Sequence, residues 1–318
     1  MKAIVTGGAG FIGSHLVDEL LLQGAEVTVI DDLSSGRLTN LDNARKNFPT
    51  RFSLVTLDVA DKETEELIKK VQPDYVFHLA AQSSVVKSLQ DPIKDAQSNV
   101  LGSLRVFQGA SKACVKKLIY AASGGTLYGK VESAKLPVKE TEFGIPVSPY
   151  GVSKKTPIDY LFFYKETYNL GFCALAIANA YGPRQDPNGE AGVVSIFAYN
   201  LLKNNPVTIF GDGNQTRDFI YVKDVVNSFL LAASSDVDGS VVNIATGKET
   251  SINELYYLIA GILDFSLKPI YAEARKGELY RIVLDPVRAS LKLGFRAQTP
   301  LELGIANTLK YIKENELS

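Results

Sequence analysis

The sequence predicts an α/β protein: a doubly wound parallel sheet with helices on both faces, joined to a smaller mixed α/β lobe. Three observations predict it. In the first half of the 318 residues, short β-rich apolar runs alternate with longer stretches of helical period, the pattern of a parallel sheet covered on both sides. The first of these runs ends in a glycine-rich turn that opens directly into an amphipathic stretch. From about residue 180 the alternation gives way to turn signals between short elements, namely Gly182-Pro183, Pro187-Asn-Gly189 and Gly211-Asp-Gly213.

Taken in order, the strands are expected at 3–6, 26–30, 52–57, 75–79, 117–122 and 173–178, with a helix from 11 to about 23 between the first two. Helix starts carry their own chemistry. Asp91-Pro92 and Ser148-Pro149 each place a capping side chain ahead of a proline whose missing N–H costs nothing in the first turn. Ser251-Ile-Asn-Glu254 and Thr299-Pro-Leu-Glu302 have the spacing of a capping box, so two further helices are expected there. No internal repeat or low-complexity linker interrupts the chain. The expected division is a first domain over 1–178 and a second lobe over 179–318, with about 215–235 packing back on the first and a cleft between them as the site.

Composition excludes several classes of function. Lys+Arg number 34 and Asp+Glu 35, a net charge of −1 with no block of like sign, so no nucleic acid and no membrane surface is expected as partner. The apolar-rich stretch 219–233 is broken by Lys223, Asp224 and Asn227, and no window reaches the length of a membrane span. Two cysteines cannot make a disulfide framework, and the first residues do not read as a secretory leader, which predicts a cytoplasmic protein. With only His15 and His78, there is little material for a histidine metal site or a histidine-centred base, and no metal is expected.

Residues 2–31 carry the strongest local signal: strand, Thr6-Gly7-Gly8-Ala9-Gly10-Phe11-Ile12-Gly13, helix, then a strand ending at Asp31. This is the order of a dinucleotide-binding (Rossmann) unit. Gly7 makes the tight turn, Gly10 lets backbone approach a pyrophosphate, and Gly13 lets helix pack on strand. The helix N-terminus, at Phe11 and Ile12, offers free N–H groups to phosphate. Asp31 stands where a carboxylate accepts from both hydroxyls of an adenosine ribose and repels a 2′-phosphate, favouring NAD over NADP, with Arg37 the nearby cation. Asp58, at the end of the third strand, is either an adenine contact or a helix cap.

Glycines in the order Gly-x-x-Gly-x-x-Gly, with His78-Leu-Ala-Ala81, Asn99 and Tyr150-Gly-Val-Ser-Lys154, resemble the extended short-chain dehydrogenase/reductases. By that resemblance, Asp32, Ser34, Gly36, Val59, Leu79, Ala80, Ala81 and Asn99 join the glycines and Asp31 around NAD. The chain holds two Tyr-x-x-x-Lys matches, Tyr150…Lys154 and Tyr199…Lys203, and context separates them. Tyr150 and Lys154 share one face of the helix begun by Ser148-Pro149 and follow the fifth strand, whose C-terminal end opens on the cofactor crevice. A phenol of pKa near 10 needs roughly 3 units of help to act as base near neutrality. Lys154 and the oxidised nicotinamide supply positive charge, and the lysine also reaches the nicotinamide ribose.

Further motifs, Asp31-Asp-Leu-Ser-Ser-Gly36, Tyr181-Gly-Pro-Arg-Gln185, Phe210-Gly-Asp-Gly213, Arg217-Asp-Phe-Ile-Tyr-Val222 and Arg275-Lys-Gly-Glu278, are similar to the NAD-dependent epimerase/dehydratase branch, and within it to the UDP-glucose (UDP-galactose) 4-epimerases. The resemblance spans nearly the whole chain. It implies that Asn179, Arg217 and Arg275 hold the diphosphate of a UDP-sugar, that Glu278 meets the uridine ribose, that the hexose is epimerised at C4 through a 4-keto intermediate, and that the protein is a homodimer through the helices after Asp91 and Ser148. Two departures stand out. The family serine or threonine that relays the proton aligns with Gly124, which leaves Ser123, Thr126 or a water to do it. The family's Arg-Tyr pair before the asparagine is Ala176-Ile177. The Asp-Glu pair of the 4,6-dehydratases is replaced by Gly125-Thr126, which argues against elimination. A sugar-nucleotide decarboxylase or reductase, and a non-catalytic NAD-binding protein, are the remaining alternatives.

Overall fold

The computed structural model describes residues 1–142, 144–187, 192–275 and 279–317. Seven parallel strands form the central sheet: β1 (Lys2–Thr6), β2 (Glu26–Asp31), β3 (Phe52–Thr56), β4 (Tyr75–His78), β5 (Lys117–Ser123), β6 (Phe172–Ile177) and β7 (Ser240–Ile244). Their order across the sheet is β7-β6-β5-β4-β1-β2-β3. Because helices cover both faces, the inner strands are apolar on both: all six residues of β6 and the last four of β1 are buried. The order reverses beside β1, which lies between β2 and β4. A crevice therefore opens at the C-terminal ends of those strands, where Thr6, Asp31 and His78 sit.

Six strands lie within one residue of their expected ends. The seventh was not expected. Ser240–Ile244 returns to the sheet edge and pairs with β6, Ser240 opposite Cys173 through to Ile244 opposite Ile177. Its brevity and the buried Asn243 conceal it in the sequence. That amide is tolerated because it is used: Tyr128 Oη donates to Asn243 Oδ1 (2.6 Å), and Asn243 Nδ2 donates to the Val138 carbonyl (2.9 Å).

Capping chemistry places the helices. Asp91 Oδ1 accepts from the Lys94 N–H (2.9 Å) at the start of the helix Pro92–Ala96, and Ser148 Oγ accepts from the Gly151 N–H (3.2 Å) at the start of Pro149–Tyr168. The helix Ile252–Ile262 opens on a complete capping box of Ser251 and Glu254. Leu301–Asn315 begins where expected but without its box. There, Asp224 takes the backbone N–H of Gln298 and Thr299 (3.2 and 3.0 Å), so a carboxylate from another helix does the holding.

A second core, centred on Tyr181, Phe197, Phe219, Tyr256 and Ile305, is built by the helices Val193–Leu202, Ile252–Ile262 and Leu301–Asn315 with short strand pairs. The helix Val222–Ser234 serves both cores: Val222 lies in the second, while Val225, Val226 and Phe229 pack on the sheet. The expected turn at Pro187-Asn-Gly189 falls partly outside the described residues. Among those described, no helix is long and apolar enough to cross a membrane.

Candidate active site

After β1 the chain turns at Gly7, whose φ of +70° suits glycine. Close approach adds to this: a Cβ at Gly7 would lie 2.7 Å from the Ala80 nitrogen, and one at Gly13 would lie 2.1 Å from the Gly7 carbonyl oxygen. No side chain caps the helix Phe11–Leu22, so its first N–H groups, including those of Phe11 and Ile12, face the crevice uncommitted. The cradle fits a pyrophosphate.

Asp31 closes β2 and is buried, and burial raises its carboxyl above the usual carboxylate range. Its Oδ2 accepts from the Ala9 N–H (2.8 Å) and its Oδ1 from the Leu33 N–H (2.9 Å). Each oxygen keeps a free lone pair, so Asp31 both shapes the loop and remains able to take ribose hydroxyls. Gly36 is pressed against it, since a Cβ there would meet Asp31 Oδ1 at 2.8 Å. Asp32 spends Oδ1 on the Ser34 N–H and hydroxyl (3.0 and 2.7 Å), and Asp58 spends Oδ1 on the Ala60 N–H (2.9 Å), both as local turns. Arg37 is held by Asp186 (2.6 Å) and Glu316 (3.0 Å).

Behind the cradle runs a chain of buried bonds. Thr6 Oγ1 accepts from the Leu79 and Ala80 N–H groups (3.2 Å each), which leaves its proton for His78 Nδ1 (2.7 Å). The network thus assigns the His78 proton to Nε2, which donates to Ser103 Oγ (2.9 Å), and Ser103 donates to the Asn99 carbonyl (2.5 Å). Burial and the charge of Lys154 push His78 down to about 3, so it is a neutral packing group and takes no proton near neutrality. Asn99 clamps the Gln82 backbone, accepting from its N–H (2.8 Å) and donating to its carbonyl (3.0 Å). This fixes the turn that contains Leu79, Ala80 and Ala81. Val59 packs beneath, against Gly102.

Ser123 closes β5, and its hydroxyl bears on the Tyr150 phenol. Burial raises Tyr150 above its ordinary value, Ser123 opposes that rise, and the Asp95 carboxylate adds to it. Lys154, one helical turn on, is 3% exposed; burial pushes it down to about 7, with Asp95 opposing. Its Nζ lies 4.5 Å from the centroid of the Tyr120 ring. The other match is of a different kind: Lys203 Nζ donates to Tyr199 Oη (2.6 Å) on an exposed helix face of the second lobe.

Gly124 resolves the first departure. A Cβ there would meet Leu284 Cδ1 at 2.3 Å and the Ala176 carbonyl oxygen at 2.8 Å. The position faces the packed side of β6, not Tyr150, and it is Ser123 that is turned toward the phenol. Thr126 Oγ1 is buried without a hydrogen-bond partner among the described residues. Ala176 and Ile177 are both buried in β6.

In the second lobe a cavity of about 240 Å³ is lined by Phe210, Gln215, Arg275, Leu279 and Tyr280, among others. The Arg275 guanidinium stacks 4.0 Å from the Phe210 ring centroid. Arg217 donates to the Thr216 carbonyl (2.8 Å), and Asn179 is placed by its N–H bond to the Asp218 carbonyl (2.9 Å). Glu278 lies outside the described residues. Sequence reasoning did not single out Asp95, Gln82, Ser103 or Asp218; only the four-residue spacing of Asp95 and Asn99 hinted that the first of these belongs to the site. Among the described residues no three His, Cys, Asp or Glu side chains converge as a metal site.

A doubly wound sheet with a glycine cradle, a buried carboxylate closing the second strand and Ser123, Tyr150 and Lys154 at the strand ends defines a nicotinamide-nucleotide enzyme of the short-chain type. Residues 3–245 match the model of the NAD dependent epimerase/dehydratase family, and the chain belongs to that family. It is 43% identical over 313 residues to a UDP-glucose 4-epimerase of Mycolicibacterium smegmatis, covering 98% of this chain and 99% of that protein. Its fold superposes on the crystal structure of UDP-glucose 4-epimerase with UDP-glucose from Thermotoga maritima with a TM-score of 0.95, at 42% identity over 100% of both chains. For the Thermus thermophilus UDP-glucose 4-epimerase in complex with NAD, the TM-score is 0.91 at 37% identity, covering 99% of this chain and 100% of that one.

Proposed function

We propose that this protein interconverts the C4 epimers of a UDP-hexose, UDP-glucose and UDP-galactose, with NAD as resident cofactor, as an enzyme of galactose metabolism. The observation that carries the reading is Tyr150 and Lys154 one turn apart on the helix Pro149–Tyr168, with Ser123 at the C-terminal end of β5 bearing on the phenol. When bound, NAD would supply the acceptor and later the donor of a hydride at C4 of the sugar. Gly7, Gly10 and Gly13 admit its pyrophosphate, and Asp31 holds its adenosine ribose. Ser123 takes the C4 hydroxyl proton and passes it to Tyr150; the sugar is left as a 4-keto species, and the same proton goes back when hydride returns. Lys154 supplies positive charge beside the phenolate. Asn179, Arg217, Arg275 and Glu278 are assigned to the nucleotide diphosphate and ribose, leaving the hexose free to turn. Incubation with UDP-glucose, UDP-galactose, their N-acetyl and uronic forms and dTDP-glucose, with products separated by chromatography, tests this. Conversion of none of them overturns it.

Asp31→Ala is expected to weaken NAD binding and narrow its advantage over NADP, because ribose acceptors and the repulsion of a 2′-phosphate vanish together. Arg37, already engaged by two carboxylates, adds little to NADP binding in the parent. Titration of both cofactors into apo-protein reads the ratio. A homodimer is supported by exposed apolar side chains on the two helices beside the site, Ile93 at 72%, Val152 at 50% and Phe163 at 48%; sedimentation equilibrium tests it. Both cysteines are free, which suits a cytoplasmic location.

A further inference from the structure

Asp95 belongs to neither the cofactor cradle nor the sugar site, yet it is a carboxylate 1% exposed beneath both. It stands on the helix Pro92–Ala96, which packs against the helix carrying Tyr150 and Lys154. Its Oδ1 accepts from Gln82 Nε2 (2.8 Å) and Asn99 Nδ2 (3.2 Å). Its Oδ2 is buried with no hydrogen-bond partner among the described residues. A buried carboxylate with an orphaned oxygen is expensive unless a positive charge lies near. Lys154 is that charge: the two interact electrostatically across the helix contact. The same side-chain network reaches the helix mechanically, since Asn99 Nδ2 donates to Ser153 Oγ (2.9 Å) and Ser153 donates to the Tyr150 carbonyl (3.1 Å).

We propose that Asp95 is a positioning residue for the Tyr150–Lys154 pair: a buried carboxyl on the helix packed against theirs, which through Asn99 and Ser153 sets the first turn of the catalytic helix. The inference rests on the epimerase reading for its rate assay but not for its electrostatics. Among the described residues, the titratable groups that interact with the pair are Asp95, Tyr120 and His78, with the Ser123 hydroxyl bearing on the phenol. Tyr120 is neutral because burial raises it, and His78 is neutral because burial lowers it. Asp95 is thus the one carboxyl among them. Asp95 acts on both Tyr150 and Lys154, raising each. Removing a nearby negative charge makes each proton easier to lose, so both apparent pKa values move down.

The test is Asp95→Asn, which keeps shape and an Oδ1 acceptor but removes charge. In the NAD-loaded enzyme its kcat profile is expected to move toward lower pH by about one unit, costing about tenfold in rate on the alkaline side. The thermal midpoint should remain close to that of the parent. A lowered rate with an unmoved profile overturns the proposal, leaving Asp95 a structural residue. Should Asp95→Asn fold poorly, Asp95→Ala removes the same charge and carries the same expected displacement. Failure of the epimerase reading is recognised separately, by absence of turnover in the parent. The near-ultraviolet tyrosinate titration of holoenzyme, taken as the difference with and without Tyr150→Phe, then decides: Tyr150 ionisation unmoved by Asp95→Asn overturns the proposal, and ionisation at lower pH supports it.

Discussion

Tyr150→Phe is expected to lower kcat for UDP-hexose interconversion by about 10² to 10⁴, the usual worth of a positioned proton acceptor. The loss should be confined to turnover. The phenylalanine ring occupies the same half-buried place on the first turn of Pro149–Tyr168, and the glycine cradle does not involve the phenol oxygen. NAD released on denaturation should therefore match the parent, as should UDP-hexose affinity by equilibrium dialysis. Tyr199→Phe, removing an exposed hydroxyl bonded to Lys203, is expected to be within twofold of the parent, since a solvated pair of this kind contributes little. A dead Tyr199 variant beside an active Tyr150 variant would sink the assignment of the base.

The second large effect is expected at Ser123. Ser123→Ala removes the hydroxyl that opposes the burial-driven rise of Tyr150, and should cost at least about tenfold in kcat with little change in nucleotide affinity. Thr126→Val should cost less, because Thr126 Oγ1 bonds none of the described residues. Gly124→Ser in the Ser123→Ala background is the sharper comparison. A family-like hydroxyl at 124 cannot restore turnover, because its Cβ would be driven into Leu284 and the Ala176 carbonyl; overpacking of that kind destabilises by about 1–3 kcal/mol. Steady-state rates and thermal midpoints on the three variants decide, and recovery of activity in the double variant would show that 124 does face the phenol.

The parts of this molecule that were legible in sequence are those encoded by contiguous chemistry. Strand, glycine turn, helix and terminal carboxylate follow one another within residues 2–31, so the cradle could be placed residue by residue. Ser148-Pro149 fixed the phase of the helix that presents Tyr150 and Lys154 on one face. Illegible were features that depend on what arrives from elsewhere. Thr299 lost its expected capping role to Asp224, a residue on a different helix. The direction of Gly124 was set by Leu284, far along the chain. Asp95 looks in sequence like any helix-surface acid after Asp91-Pro92, and only the packing of its helix on Pro149–Tyr168 buries it. His78 closes the fourth strand with both ring nitrogens occupied by buried side chains, as a packed residue does.

The strand Ser240–Ile244 bears on how the protein is made. On a ribosome, β6 is complete once Ile177 has emerged, but the chain that will cover its outer edge follows only after many more residues have been added. Until then, six consecutive residues that end up buried sit on a bare, hydrogen-bond-hungry border, the kind of edge along which nascent chains pair with one another. The helix Val222–Ser234, which also covers the sheet, arrives just ahead of it. Shielding of the sheet thus waits on the last third of translation, and a chain halted before residue 240 would carry the border permanently.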